Sequence, residues 1–482
     1  MAHTIDEAAP ANPPSAESTE SLPMNGRGTE PGHATRYICA AMHLDRKLAD
    51  QVLSELLEDD HHAFGTADGM DLGLVTRHAA LAERYRRIRD VILVAFILVT
   101  LVGIAVVKRA PWVVVIGVVG LWATVFIAAL RTRYHVLARS LRRGGVQQVP
   151  SDPPSRRLRK RLATVDSLKD GNVTVYSGFS PFVGCGEMTQ YWSFVIDTSK
   201  AADTSVPVKP VSNREVRQAL ISAVEDLGWE DIAIEDRVFL SGTEVRNDRR
   251  FLPDPEGRPV GNISDRLMQK LIDSPEPAAR HYLCMRFNAW GGELIVTTFV
   301  RFVMRRDALF VECVYLLLPP VKQTFHEVDD IATPPTIKQV LALSGGSVVR
   351  TPWLTLLSIP HVVGVTMAPI ERWRRRRREL RQIREHLAFD YGTRFTPRGA
   401  ASDKRYHRYF QRLDQDMYLK VVEKRILDAM VEFLSSKGID THDLEERQTT
   451  ILNNGVMVSG GSFSADSIAV GQGAKATKQE VS

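Results

Sequence analysis

The residues best placed to do chemistry lie in GFSPFVGCGE, positions 178–187, where Cys185 stands between Gly184 and Gly186. Flanking glycines permit unusual backbone angles, and a thiol held between them is open to attack or binding if its pKa is lowered. The segment therefore reads either as a ligand or nucleophile loop or as a structural loop between strands. No basic residue adjoins the cysteine, and the spacing matches neither a P-loop nor a dinucleotide fingerprint. Asp59, Asp60, His61 and His62 are metal-binding types, but adjacent side chains diverge on a helix, so a solvated turn is expected there. His281, His326 and His361 are scattered, and each is expected to be a packed or surface histidine. No HExxH, GxSxG, GxxxxGK[ST] or kinase pattern occurs, so the sequence predicts no catalytic residue, cofactor or metal ligand.

A second chemistry is carried by arginine. Arg86, Arg87 and Arg89 precede a long apolar run; Arg131, Arg133, Arg142 and Arg143 follow another; Arg374, Arg375 and Arg376 lie in RWRRRRREL. Guanidinium groups beside a bilayer favour anionic headgroups by about 1 kcal/mol each. Nucleic acid is the other polyanion they could meet, but no aromatic interleaving or binding motif accompanies them. The expected partners are the bilayer and its anionic lipids, with nucleic acid disfavoured.

These arginines bracket the strongest pattern in the chain. Residues 91–107 and 110–130 are two charge-free runs, long enough at 1.5 Å per residue to cover about 25 and 31 Å of a hydrocarbon core. Only a turn containing Lys108, Arg109 and Pro111 separates them, which predicts an antiparallel transmembrane hairpin. Gly103, Gly117 and Gly120 would let its helices approach closely. More basic residues flank the hairpin than occupy its turn, placing both termini in the cytoplasm of a multi-pass plasma-membrane protein. Residues 352–370 are free of formal charge but hold three prolines; they read as a core segment, an interfacial segment or a third span.

The hairpin fixes the remaining organisation. Residues 1–35, rich in Pro, Ala, Ser and Glu, predict a disordered leader, and 36–87 a cytoplasmic helical segment. A basic linker over 132–164 leads to a cytoplasmic α+β domain at 165–321 with a mostly antiparallel sheet: strands in NVTVYSGF, YWSFVIDT and DIAIEDRVFLSG, a helix ending at Gly228, then three long strands turning at Gly291-Gly292 and Arg306-Asp307. Residues 322–403 connect it to a long amphipathic helix at 404–438, whose stripe runs from Tyr406 through Phe410, Met417 and Ile426 to Leu434 and could serve the core or self-association. An Asn/Gly-rich β-like tail ends the chain over 449–482. The four cysteines, far apart and without a CxxC pair, argue against a zinc knuckle and a disulfide framework and suit a reducing compartment.

The basic helix running into a hairpin, GFSPFVGCG with YWSFVID, and the Asn/Gly-rich ending together resemble the uncharacterised two-span membrane proteins common in actinobacteria such as streptomycetes. That resemblance implies a membrane anchor and no particular activity or site residue. The ending is also similar to short β tails on some bacterial conflict-system proteins. The function expected is a membrane-anchored interaction, scaffold or sensory protein with a cytoplasmic face, self-associating through its C-terminal helix and tail. The alternatives are a membrane-surface enzyme using residues 178–187 and a membrane-perturbing effector.

Overall fold

The computed structural model describes residues 32–65, 69–106, 111–143, 150, 155–167, 171–203, 205, 207–229, 232–385, 388–403 and 405–452. The leader up to residue 31, the hairpin turn at 107–110, part of the basic linker and the tail beyond residue 452 lie outside these.

The chain opens with α1 (His33–Leu44) and α2 (Arg46–Val52), the latter capped by the Asp45 carboxylate on the Leu48 amide. The long α3 (Leu72–Val106) begins where Asp71 accepts from the Leu74 amide, and α4 (Pro111–Leu130) continues in wider turns to Leu141. A short α5 (Arg156–Ser167) follows. α3 and α4 pack as the expected hairpin: Gly103 faces Val113, Gly117 faces Thr100 and Gly120 faces Phe96, each so closely that a Cβ would clash. Outside these contacts the pair is exposed and apolar, as at Leu98, Val99, Val115 and Val118.

Six strands then form one mixed sheet in the order β1-β3-β4-β5-β6-β2. These are β1 (Val173–Tyr176), β2 (Glu187–Asp197), β3 (Ile232–Ser241), β4 (Ala279–Ala289), β5 (Leu294–Arg305) and β6 (Ala308–Leu318). Only β1 and β3 pair in parallel; the other neighbours are antiparallel. The two tight reversals need left-handed backbone, supplied by Gly291 and Gly292 at φ 65° and 84° and by Arg306 at φ 49°. Between strands lie α6 (Asn213–Glu225), held by a Ser212–Glu215 capping box, and α7 (Asp265–Asp273).

After β6 the chain makes a tight turn over Gln323–Val328 and enters α8 (Ile337–Glu385), then α9 (Pro397–Ala401), α10 (Tyr409–Ser436) and α11 (His442–Leu452). One sheet face is covered by α6 and α10, where Leu220, Val224, Ile426 and Met430 pack on Leu283, Val300 and Val311. The stripe of α10 is thus divided: Ile426, Met430 and Leu434 are core, while Tyr409, Phe410, Leu413 and Met417 remain exposed.

α8 differs from expectation. Its Pro352, Pro360 and Pro369 do not end it, and the Ser347 and Thr351 hydroxyls bond to carbonyls one turn back. It is not a core segment: Leu341, Val348, Trp353, Leu356, Val363 and Met367 are exposed along it. Among the described residues, three helices, α3, α4 with its extension and α8, are therefore long and apolar enough to cross a membrane. Both ends of α8 return to the sheet. Before it, Val321 bridges Ser402; at its end, Ile383 and Tyr391 join the core beneath Val175, and Thr393 pairs with Tyr176.

Asp329 ties these parts together. Its carboxylate accepts from both terminal nitrogens of Arg36, from the Tyr37 hydroxyl at 2.8 Å and from the Arg143 amide at 2.9 Å, while Arg36 also donates to the Leu141 carbonyl at 2.8 Å. Burial opposes ionisation of Asp329, but these donors outweigh it and hold the carboxyl at about 2. Removing one partner of such a pair strands the other, so Asp329→Ala should lower unfolding stability by about 3 kcal/mol. Thermal or denaturant unfolding of the detergent-solubilised protein measures this.

Candidate functional site

Where α8 crosses the lower ends of α3 and α4, the three helices enclose a cavity of about 570 Å³. α8 lends one helical face, Leu343, Ser347, Arg350 and Leu354; Ile88 and Ile92 of α3 and Thr124, Val125 and Ala128 of α4 supply apolar walls; Val328 and Ile331 lie below. The position follows from the sequence, because here the apolar runs stop and the arginines begin. Trp122 Nε1 donates to the Ser344 carbonyl, and His361 of α8 contacts Asp90 and Glu83 of α3, fixing the crossing.

Charge around this cavity is lopsided. Arg86, Arg89, Arg131, Arg133 and Arg350 line it against the single carboxylate of Glu327. Arg86 donates through Nη2 to the Met42 carbonyl at 2.6 Å, while its buried Nη1 has no hydrogen-bond partner among the described residues. Arg131 lies over the Tyr85 ring at 4.6 Å. His43, also lining the cavity, is depressed well below the usual histidine pKa, by burial first and then by the neighbouring His78 and Arg86. An apolar pit with a cationic rim can hold an amphiphile, its tail among Ile88, Ile92 and Leu354 and its anionic head among the guanidinium groups.

Of the arginines singled out in the sequence, Arg86, Arg89, Arg131 and Arg133 come together at this rim. The others have protein partners: Arg87 faces Glu83 at 3.8 Å, Arg142 donates to Thr333, and Arg143 serves Asp329 through its amide. Arg375 reaches Glu379 at 2.8 Å and Asp59 at 3.3 Å, and Arg376 lies 3.7 Å from Asp60, whereas Arg374 is simply exposed. The turn at Asp59 is consequently not solvated as expected. Asp59 is buried, accepting from the His61 and His62 amides and pairing with the His62 ring at 2.8 Å. Burial alone would raise the Asp59 pKa and lower that of His62; their hydrogen bond and mutual charge reverse both effects.

Of the two readings of 178–187, the structure has a loop joining β1 to β2. Cys185 is 1% exposed, packed with Phe182, Phe239, Tyr282 and Phe299 on the sheet face opposite α10. Gly184 and Gly186 have positive φ, and a Cβ on Gly186 would strike the Leu317 backbone, so these glycines let the loop close over the aromatic cluster. The accessibility expected of this thiol is absent. Sequence reading missed Tyr85 and Arg350, which reach the cavity only through the helix crossing, and Arg398. Arg398, 1% exposed, donates to the carbonyls of Gly292, Glu293 and Pro319, and burial lowers its pKa to about 10. All four cysteines are buried, so a maleimide should label none appreciably in the native protein and all four after denaturation, as counted by intact mass.

Residues 191–464, from within β2 past α11, match the AbeC-like domain. No curated protein and no solved structure matches the chain. The domain takes in most of the sheet, α8 and α10, and leaves the α3–α4 hairpin outside it. Because that match covers more than half of the 482 residues, the chain belongs to the AbeC-like family.

Proposed function

We propose that this protein is a membrane-anchored sensory or interaction module that faces the cytoplasm and takes an anionic phospholipid of the inner leaflet into the cavity at the base of its hairpin. The observation that carries the reading is the cavity itself: apolar walls continuous with the hairpin, ringed by five arginines, of which Arg89 is paired with Asp90, against the one lining carboxylate of Glu327. A buried guanidinium nitrogen without an acceptor costs about 1–3 kcal/mol, and a phosphate oxygen at Arg86 would recover it. Occupancy would also bear on α8, since Arg350 and Leu354 belong to it.

The reading includes two membrane crossings. What supports two rather than three is connectivity. Arg36 before the hairpin and Leu141 after it are hydrogen-bonded to each other, so the intervening chain crosses an even number of times. Val321 before α8 and Ser402 after it are likewise bridged, and a single helix between them crosses an even number of times only by not crossing. α8 then lies in the interface, its exposed row Leu341, Val348, Trp353, Leu356 and Val363 against lipid. The excess of arginine on the sheet side of the hairpin favours that side as cytoplasmic.

Lipid capture is tested by native mass spectrometry or fluorescent-lipid titration of the full chain in mixed phosphatidylcholine and phosphatidylglycerol nanodiscs. Wild type should retain phosphatidylglycerol in preference, and Arg131→Gln/Arg350→Gln should weaken it by roughly 25-fold, from about 1 kcal/mol per arginine. Equal retention of both lipids, or an unaffected double variant, would refute the proposal. Topology is tested with an impermeant maleimide on intact cells. Cysteines introduced by Phe179→Cys and His442→Cys, both exposed positions, should be protected alike while Lys108→Cys is labelled. Protection of one but labelling of the other would mean that α8 crosses.

A further inference from the structure

Glu293 at the start of β5, His326 in the turn after β6 and His407 just before α10 converge in space, with one ligand-type atom from each lying within 4.8 Å of the others. None of the three is fully exposed: their side chains retain 14%, 17% and 14% of their surface.

The hydrogen bonding around His326 is informative. Its Nδ1 faces the Lys322 carbonyl at 3.2 Å, and its Nε2 faces the Glu293 carboxylate at 3.1 Å. A carbonyl only accepts, so the Nδ1 contact is a hydrogen bond in the tautomer that carries its proton there. A neutral ring then presents the lone pair of Nε2 to a carboxylate, an arrangement that needs either a second proton or a cation between the two. His407 distinguishes these. Its ring packs edge-on to His326 at 5.3 Å, and its buried Nε2 has no hydrogen-bond partner among the described residues, with Asp403 Oδ2 3.9 Å away. A second proton on His326 would leave that nitrogen unserved; a cation would serve all three residues.

We infer that Glu293, His326 and His407 form a divalent transition-metal site, of zinc type, binding through one carboxylate oxygen and two imidazole nitrogens. Two imidazoles and a carboxylate are a zinc donor set, and bonds of about 2.0–2.1 Å at tetrahedral angles place ligand atoms roughly 3.3 Å apart, close to the Glu293–His326 spacing. His407 completes the set by a small inward shift, and the fourth position falls to water or to Asp403. The outer shell is already in place. The Lys322 carbonyl fixes the His326 tautomer, Tyr37 stacks on that ring at 3.9 Å, and Arg398 holds the Glu293 carbonyl at 2.7 Å. A metal here would pin the start of β5, the turn leading to α8 and the entry to α10, three residues from Asp329. The site is independent of lipid capture.

The test uses the full chain in detergent, stripped with chelator and dialysed, then titrated with Zn²⁺ by calorimetry and with Co²⁺ by visible absorption. Wild type should bind one equivalent and give the intense visible bands of four-coordinate cobalt. His407→Ala and the near-isosteric Glu293→Gln should lose those bands and weaken zinc by at least about 100-fold, more than outer-shell changes cost, while His442→Ala at an exposed histidine leaves both unchanged. Circular dichroism of the metal-free variants separates a lost ligand from a lost fold, and for any variant that misfolds the Glu293→Gln result decides. No binding by wild type, or equal binding by Glu293→Gln, would overturn the inference and leave Glu293–His326 as an ordinary ion pair.

Discussion

One carboxylate organises the junction between the apolar hairpin and the sheet. Asp329 receives Arg36 and Tyr37 from the chain before the hairpin and the Arg143 amide from the chain after it, and it stands just before α8. Arg36, also bonded to the Leu141 carbonyl, satisfies the end of the helical run that descends from α4. Remote segments are thereby held at one point. Arg36 is buried while Asp329 is partly exposed, and a buried guanidinium left unpaired costs several kcal/mol, so the cluster depends on Asp329 being in place. That requirement couples the placement of the hairpin to that of the sheet.

The same logic governs the rest of the base. Arg372, Arg375 and Arg376 meet Glu58, Asp59 and Asp60, and Arg161 also reaches Asp60. Near the apolar boundary Asp90 is buried between Arg89 and His361, which also faces Glu83. Asp59 and Asp90 are buried, so helix packing removes the water that would otherwise carry their charge and each needs a partner in place; Arg372, Arg375 and Arg376 stay about half exposed. Against that background the cavity is an exception: with Arg89 paired to Asp90, Arg86, Arg131, Arg133 and Arg350 still face the one lining carboxylate of Glu327. An unbalanced site within a balanced surround is where an anionic ligand gains most.

The AbeC-like domain and the hairpin contribute different parts of this arrangement. The family match begins inside β2 and includes α8, so it supplies one cavity wall, together with Val328 and Ile331; α3 and α4 supply the others. The three residues of the inferred metal site all lie within the family match. The domain thus carries its own candidate chemistry, and its association with the apolar α3–α4 hairpin adds the cavity.

Much of the architecture was legible in the sequence because it depends on local patterns. Two charge-free runs suffice for two long helices, and Gly103, Gly117 and Gly120 mark their seam. The Gly291-Gly292 and Arg306-Asp307 reversals likewise lie within a few residues of what they control. What depended on distant partners was not legible. The acidity around Asp59 reads as a solvated turn until Arg375, more than three hundred residues away, closes on it. Cys185 between glycines reads as accessible until Phe239, Tyr282 and Phe299 arrive from other strands to bury it. The prolines of α8 argue against a helix, yet packing on α3 and α4 and tethering at both ends maintain one. Glu293, His326 and His407 have no motif spacing at all. Local sequence determines which segments are helix, strand and apolar surface; which charges lose water, and therefore which need a partner, is decided only when the chain folds back on itself.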